Sequence, residues 1–295
     1  MQILKHGEDD HFTNDKHLYA ESIVWLLAVT FFVPILNALP TNVLFKFDAL
    51  HMENKLLSII TVTYNAANTL ERAIRSVKKQ NHNLFNYYII DGCSSDETVS
   101  IIKRYEDFLA GWISEKDSGI YEAMNKGISN STGRWIYFLG ADDVLAEGII
   151  EKIYPYLSEK ASLIYGNVEF DNEHLMVSSF SNRILLQNTI HHQSAFYNAE
   201  NFNSFRYDTD LKAISDYELN LKIFLQKKET VYLPLTIAYC NTGGVSAELN
   251  TSLKETNTIR AKYIHGKTIN MLLSFILKLY YIQKEIRFKL YGHRV

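Results

Sequence analysis

From residue 56 onward, short apolar runs rich in β-branched residues alternate with stretches whose apolar residues recur at helical spacing. This alternation predicts an α/β fold in which a mainly parallel central sheet is flanked by helices. The first strand is predicted over residues 56–63, and a later one over residues 135–139. Because neither repeats nor low-complexity linkers interrupt the pattern, we expect one domain over residues 52–250.

Several element boundaries are predicted from short local signals. Asn68 and Asp96 stand before stretches of helical periodicity and predict helix N-caps. Residues 191–197 predict a strand, and residues 231–239 predict a closing pair of strands. Asp216 opens a strongly periodic helix.

Composition is that of an ordinary globular protein and excludes some functions. The 295 residues are 47% hydrophobic and 21% charged, and a formal net charge of −3 gives no basic field for nucleic acid. The two cysteines, Cys93 and Cys240, predict neither a disulfide framework nor a metal site. They favour a reducing, cytoplasmic setting for the main domain.

A pair of aspartates, Asp142 and Asp143, directly follows the predicted strand at residues 135–139. Two carboxylates at the end of a buried strand are costly unless a cation lies against them, and a divalent metal carrying phosphates is the usual one. Ligands bind outside the carboxyl ends of strands in open α/β sheets. Three more polar clusters follow or separate apolar runs, at residues 63–65, 91–96 and 215–218.

Two common phosphate-binding motifs are missing from the sequence. No G-x-G-x-x-G follows the first strand, and the chain has no G-x-x-x-x-G-K-[ST]. A dinucleotide-dependent dehydrogenase and a P-loop kinase are therefore both disfavoured.

Four segments, in this order, resemble those of family 2 glycosyltransferases, and most closely those of the bacterial exopolysaccharide and colanic-acid type. The resemblance covers about residues 56–246 and implies the GT-A fold of nucleotide-diphospho-sugar transferases. The segments are residues 58–65, 91–98, 117–127 and 140–143.

The resemblance also implies roles for individual residues. Asp91 accepts a hydrogen bond from the base, Asp142 contacts the ribose, and Asp143 binds Mg²⁺ or Mn²⁺ that bridges the diphosphate. The family often has Asp or Asn where this chain has Gly140. The other donor-site residues are Thr63 and Tyr64 beside the base, together with Asn65, Ser94, Asp96 and Asp117.

Asp216 matches the position of the family's catalytic base, where it takes the proton of the acceptor hydroxyl during inversion. Glu218 is the second candidate, and an N-cap is the alternative role of Asp216. Ser215 stands where many members have Glu. The resemblance places four further residues on the acceptor or diphosphate side: His192, Gln193, Gly244 and Ser246.

The expected function is transfer of a sugar from a nucleotide-diphosphate donor, UDP being the commonest nucleotide in the family, to a glycan or lipid-linked acceptor. The expected pathway is bacterial surface polysaccharide biosynthesis. A non-catalytic nucleotide-sugar-binding or scaffold protein on the same fold is the alternative, favoured by Gly140 and Ser215. The sugar, acceptor and linkage are not predicted.

Both termini differ from the central domain. Residues 1–51 carry three Lys against six acids and include an uncharged span at about residues 22–45, which predicts either a membrane anchor or a dispensable extension. In residues 251–295, an apolar stripe from Leu272 to Leu290 faces away from several Lys and Arg residues. Such a helix lies either on an anionic membrane surface or against its own domain. The expected location is cytoplasmic, at the inner face of the plasma membrane.

Overall fold

The computed structural model describes residues 44–47, 55–157, 160–242 and 249–291. The chain forms two compact units, residues 1–44 and 45–295, and the second holds all but one of the described residues. Apart from residues 44–47, the predicted N-terminal extension and its uncharged span lie outside the described residues.

The elements of the described residues alternate as predicted through the first half of the domain. The strands are β1 (Leu44–Phe47), β2 (Leu57–Thr63), β3 (Phe85–Asp91), β4 (Gly111–Ser114), β5 (Trp135–Gly140), β6 (Val144–Leu145), β7 (Leu163–Phe170), β8 (Leu175–Met176), β9 (Ala195–Asn198) and β10 (Thr230–Cys240). The helices are α1 (Leu70–Lys78), α2 (Thr98–Arg104), α3 (Ile120–Asn130), α4 (Ile149–Ile153), α5 (Ser215–Leu225), α6 (Leu249–Tyr263) and α7 (Lys267–Tyr291).

The strands form one sheet in the order β1-β4-β3-β2-β5-β9-β7-β10-β6, with β8 beside β7. Strand β2 pairs in parallel with β3 and β5, and β3 pairs in parallel with β4. Strand β9 then runs antiparallel to both β5 and β7, while β10 is parallel to β7 and antiparallel to β6. The predicted parallel arrangement therefore holds for the first half of the sheet, and the second half is mixed.

Helices cover both faces of the sheet because alternate side chains of each strand point to opposite sides. Ile59 and Tyr137 pack on the face covered by α1, α2 and α4. Their chain neighbours Ile60 and Phe138 pack on the other face, against α3, α5 and α6. The carboxyl ends of β2, β3, β4 and β5 thus lie along one edge, which positions the predicted site.

Two predicted strands differ from the structure. Residues 192–194 form a 3-10 turn, and only the following β9 is a strand. The predicted strand pair at residues 231–239 is wrong, because β10 is a single strand whose register against β7 shifts between Tyr232 and Thr236. Pro234 lies within this shift, and proline lacks the N–H that a regular ladder needs, so the strand bulges there.

The predicted helix caps are also revised. The N-cap residue of helix α1 is Thr69, whose side chain makes no capping hydrogen bond, so the predicted Asn68 cap is wrong. Helix α2 follows Glu97, but the Asp96 carboxylate does accept the N–H of Thr98 at 3.0 Å. None of the helices in the described part of the chain is long and apolar enough to span a membrane.

Candidate active site

The loops after β2 and β3 are bonded to each other at the carboxyl ends of these strands. The Gly92 N–H donates to the Thr63 carbonyl at 2.9 Å, and the Asn65 N–H donates to Ser94 Oγ at 2.7 Å. Asn65 has a φ of 49°, which asparagine adopts more readily than most residues, and its side-chain oxygen accepts the Ser95 N–H at 2.9 Å. Three predicted donor residues, Thr63, Asn65 and Ser94, are therefore brought together.

Thr63 and Tyr64, which end β2 and begin the loop after it, differ in exposure. The Tyr64 side chain is 65% exposed, so its ring face is accessible for stacking. The Thr63 hydroxyl oxygen is buried and has no hydrogen-bond partner within the described residues. Asp96 has a different role, since its carboxylate accepts the N–H groups of Thr98 and Ala67. A hydrogen bond with the Thr98 side chain and, to a smaller extent, these two backbone bonds lower the pKa of Asp96.

Asp91 is fully buried beneath the same loop. One carboxylate oxygen accepts from the Ser94 N–H at 3.0 Å and from Ser114 Oγ at 2.6 Å, and the other accepts from Ser94 Oγ at 2.5 Å. Asp91 therefore organises the loop in this structure. Its contact with a base stays a prediction, and that contact would compete with these hydrogen bonds.

The segment after β4 packs against Gly92 through the side chain of Asp117. A Cβ added to Gly92 would lie 2.7 Å from Asp117 Oδ2, so only glycine allows the Asp117 carboxylate to approach the loop. Burial raises the pKa of Asp117, and the nearby charge of Asp91 adds to this effect. Asp117 thus lies beside the predicted donor loops.

The aspartate pair is held by groups distant in sequence. The Asp142 carbonyl accepts from the Arg72 guanidinium at 2.7 Å and from Asn241 Nδ2 at 2.8 Å, while the Asp142 side chain is exposed. Asp143 turns inward, and its carboxylate accepts from Gln193 Nε2 at 2.5 Å and from the Asn241 N–H at 3.3 Å. Burial, together with the charge of Asp142, raises the pKa of Asp143 to about 6.

The surroundings of Asp143 fit a hard divalent cation. Burial and the negative charge of Asp142 raise the pKa of Asp143, and no cationic side chain of the described residues is among the groups that offset them. The side-chain oxygen of Gln193 is buried without a hydrogen-bond partner within the described residues. Those residues contain no cluster of three His, Cys, Asp or Glu side chains that could hold a metal unaided. One or two carboxylates supplemented by substrate phosphates is the arrangement that Mg²⁺ commonly uses.

Gly140 leaves room for the Asp143 carboxylate at the end of β5. A Cβ at Gly140 would lie 2.3 Å from Asp143 Oδ2 and 3.1 Å from Gln193 Nε2. Any side chain at position 140 would clash with the Asp143 carboxylate, so the inward turn of Asp143 requires glycine there.

Gly140→Ala should displace Asp143 and lower Mn²⁺-dependent donor affinity by about tenfold or more, as loss of a group that orients a metal ligand does. Overpacking should also cost about 1–3 kcal/mol of stability. Calorimetry measures the affinity. Gly148→Ala is the control, because Gly148 has a φ of 62° and open space around an added Cβ. It should lose stability through backbone strain while keeping donor affinity, and an equal loss of affinity in both variants would contradict the account.

Asp216 lies in the first turn of α5 and is buried. Asn188 Nδ2 donates to its carboxylate at 2.6 Å, and Asn220 Nδ2 donates to Asn188 Oδ1 at 3.1 Å. Tyr197 completes this chain of bonds by donating to Asn220 Oδ1 at 2.9 Å. Burial raises the pKa of Asp216 to about 6. The N-cap position of α5 is occupied by Ile214, so the alternative role of Asp216 as the N-cap residue is not adopted.

Glu218, the second candidate base, is paired with α6. The Tyr263 hydroxyl donates to its carboxylate at 2.8 Å, and Lys262 Nζ lies 3.5 Å from it. Glu218 therefore links two helices. Ser215, one residue before Asp216, accepts the Asp208 N–H through its Oγ at 3.0 Å.

The segment leading to Asp216 is held by a buried carboxylate of α6. Glu255 accepts three consecutive backbone N–H groups, those of Lys212 at 2.7 Å, Ala213 at 3.0 Å and Ile214 at 3.1 Å. Hydrogen bonds to a charged group are stronger than neutral ones.

Glu255→Gln should lower the free energy of unfolding by about 1–3 kcal/mol, because an amide NH₂ replaces one acceptor oxygen and leaves a buried N–H unpaired. Denaturant unfolding measures the loss. Glu229→Gln, at an exposed position, is the matched control and should change stability by less than about 0.5 kcal/mol. Equal stabilities of the two variants would show that Glu255 does not hold the segment.

The remaining predicted residues have separate outcomes. Burial lowers the pKa of His192 to about 3, so this imidazole is neutral at pH 7, and its ring stacks on His191 with 5.2 Å between centroids. Gln193 lies against Asp143, which brings it to the aspartate pair. The predicted diphosphate-side residues Gly244 and Ser246 lie outside the described residues.

Three site residues were not predicted: Asn188, Arg72 and Asn241. Asn188 donates to Asp216, whereas Arg72 and Asn241 donate to the Asp142 carbonyl, and each of these hydrogen bonds joins residues far apart in the sequence. Residues 188–193 supply partners to both buried carboxylates, Asp216 and Asp143. No spacing in the sequence signals such contacts, because they depend on how α1, α5 and the segments after β8 and β10 pack together.

Residues 58–219 match the family described as Glycosyl transferase family 2. The chain belongs to this family. A PGL/p-HBAD biosynthesis glycosyltransferase of Mycobacterium bovis is 30% identical over 206 residues, which cover 66% of this chain and 80% of that protein. The predicted family is thus confirmed, whereas its exopolysaccharide and colanic-acid type stays a prediction.

Solved structures share the fold of this family 2 glycosyltransferase. S. aureus TarS 1-349 in complex with UDP-GlcNAc is 16% identical, with a TM-score of 0.58 over 74% of this chain and 70% of that one. The mannosyltransferase PcManGT from Pyrobaculum calidifontis, in complex with GDP-Man and Mn²⁺, is also 16% identical, with a TM-score of 0.57 over 83% of this chain and 75% of that one. The predicted GT-A fold is confirmed.

Proposed function

We propose that this family 2 member is an inverting, metal-dependent glycosyltransferase that moves a sugar from a nucleotide-diphosphate donor to a glycan or lipid-linked acceptor. The observation that carries the proposal is that two separate carboxylates, Asp143 and Asp216, are buried, and burial raises the pKa of each to about 6. One suits a cation with phosphates, and the other suits a general base working near neutral pH. The proposed pathway is bacterial surface polysaccharide biosynthesis.

The donor would bind along the ends of β2, β3 and β5. Tyr64 offers an exposed ring for the base, and the unpaired Thr63 hydroxyl lies beside it. Asp117 borders the same loops, and the exposed Asp142 side chain is available to the ribose. The similar TarS structure contains UDP-GlcNAc, which supports a UDP-sugar as the donor.

Asp143 would hold Mg²⁺ or Mn²⁺, with the donor diphosphate supplying further oxygen ligands. When bound, the cation stabilises the negative charge that develops on the departing nucleoside diphosphate. The similar PcManGT structure contains Mn²⁺ with GDP-Man, which supports this choice of metal. Arg72 and Asn241 hold the Asp142 backbone in place, and Gln193 orients the Asp143 carboxylate.

Asp216 would act as the base. The acceptor hydroxyl oxygen forms a bond to the anomeric carbon, the bond from that carbon to the diphosphate oxygen breaks, and the hydroxyl proton moves to Asp216. The Asn188 amide occupies one carboxylate oxygen and so fixes the orientation of the other. This opposite-face displacement inverts the anomeric configuration.

A thermal-shift screen of nucleotide sugars with and without Mn²⁺ tests the donor proposal, since a ligand that binds the folded state raises the melting temperature. We expect a UDP-sugar to raise it only with Mn²⁺ present. Hydrolysis of the stabilising donor then separates an enzyme from a scaffold, which would bind without turnover. No shift with any nucleotide sugar would contradict the proposal.

We further propose that the protein works in the cytoplasm at the inner face of the plasma membrane. A lipid-linked acceptor would require this location.

A further inference from the structure

Helix α7 packs on the domain with one face and leaves an apolar face uncovered. Leu277 is 2% exposed, the Arg260 guanidinium donates to Ser274 Oγ at 2.8 Å, and the Tyr281 hydroxyl donates to Gln187 Oε1 at 2.9 Å. Those three positions, Ser274, Leu277 and Tyr281, lie on one side of the helix. Six apolar side chains of the other side are each between 40% and 60% exposed: Leu272, Phe275, Ile276, Leu279, Ile282 and Ile286.

This exposed stripe is too long and continuous for an ordinary surface. It runs from residue 272 to residue 286, which is about 21 Å at the rise of an α-helix. Single exposed apolar residues need no explanation, but a contiguous patch marks an interaction site. We therefore interpret the stripe as a surface that another molecule covers.

The charge around the stripe is positive. Residues 267–295 contain six Lys and Arg residues against one Glu, whereas the whole chain has a formal net charge of −3. Lys267 and Lys278 are exposed, and both lie about 60–80° around the helix from Phe275. Cations that flank an apolar stripe match a bilayer interface, where ammonium groups meet anionic headgroups while the stripe enters the acyl boundary.

We propose that α7 docks this stripe onto the surface of an anionic lipid bilayer. The helix presents a convex ridge, and a bilayer accommodates a ridge without needing a complementary groove. A stable contact with a second protein copy would need about 800 Å² on each partner, which is more than the ridge of one helix readily supplies. This inference rests on the proposed function only in that a lipid-linked acceptor explains why docking would be useful.

Helix α6 lies between α7 and the segment that leads to the candidate base, Asp216. Helix α7 contacts α6 through Ser274, and α6 holds the segment before Asp216 through Glu255. The bilayer would therefore lie on the side of the domain that supports the base.

Flotation of the full chain with vesicles tests the proposal. We expect binding to phosphatidylcholine vesicles that contain about a third phosphatidylglycerol, weaker binding without the anionic lipid, and weakening by salt. Phe275→Glu combined with Leu279→Glu should reduce the affinity by at least about tenfold. Donor affinity measured by calorimetry should be unchanged, because both side chains are exposed on α7 and neither belongs to the donor loops.

The control places the same two charges elsewhere. Tyr156→Glu combined with Val177→Glu changes side chains that are 47% and 59% exposed outside α7, and it should bind vesicles like the unmodified protein. Circular dichroism verifies folding, and Leu272→Glu combined with Ile286→Glu provides an independent stripe variant.

Three results would overturn the proposal. In the first, the unmodified chain does not bind anionic vesicles. In the second, the stripe variants bind them as tightly as the unmodified chain, which would assign binding to residues 22–45 or another segment. A dimer that dissociates in the stripe variants while vesicle binding persists would assign the stripe to a second copy. Vesicle binding requires no donor, so its failure is distinguishable from failure of the proposed sugar transfer.

Discussion

Asp216→Asn should remove turnover while the protein stays folded and binds its donor. An amide keeps the size of the side chain and an oxygen that accepts from Asn188, but it does not take a proton from the acceptor. We expect kcat to fall by about 10²–10⁴-fold, the usual contribution of a general base. Steady-state kinetics gives kcat, and calorimetry with Mn²⁺ gives donor affinity, which should be unchanged.

The pH dependence of stability provides an independent check on Asp216. Its pKa rises from 3.8 to about 6 on folding, so the folded protein holds this proton more tightly than the unfolded chain. The contribution of Asp216 to the free energy of unfolding therefore falls as pH rises from about 4 to about 6. At pH 7.5, Asp216→Asn should have an equal or higher melting temperature.

The pH dependence of kcat should agree with this assignment. At saturating donor and Mn²⁺, kcat should rise with an apparent pKa near 6 as Asp216 ionises. Glu218→Gln is the matched comparison, because Glu218 is bonded to Tyr263 and should retain most turnover. Should Asp216→Asn keep more than about a tenth of turnover, the base lies elsewhere.

Asp143→Ala should abolish Mn²⁺-dependent donor binding and lower turnover by at least about 10²–10³-fold, the scale for loss of one group that stabilises transition-state charge. The fold should survive, because removing a buried carboxylate with a raised pKa also removes the cost of ionising it. Calorimetry with and without Mn²⁺ measures donor affinity. Asp107→Ala, at an exposed carboxylate, is the control. Donor affinity like that of the unmodified protein would refute the metal assignment.

Local sequence patterns predicted β2 and β5 because a buried parallel strand is a continuous apolar run. The same reasoning failed at Pro234, where β10 bulges and continues instead of turning. A single strand and a strand pair have similar apolar content, so only the pairing with β7 distinguishes them.

The sequence also predicted which carboxylates would lie at the strand ends, but not what holds them. Gly140 looked like a departure from the family, and the structure shows that its missing side chain makes room for Asp143. Asn188 carried no signal at all, since its role depends on the packing of α5 against the segment after β8.

The most direct test of the central claim is proton NMR of donor turnover by the full chain with Mn²⁺. A UDP-sugar of known anomeric configuration is followed at early times, with water or an added glycan as the acceptor. Our account predicts Mn²⁺-dependent release of UDP and a product of opposite anomeric configuration, with neither seen for Asp216→Asn. A bound donor that is never turned over would establish a scaffold, and a product of retained configuration would contradict a single displacement with Asp216 as the base.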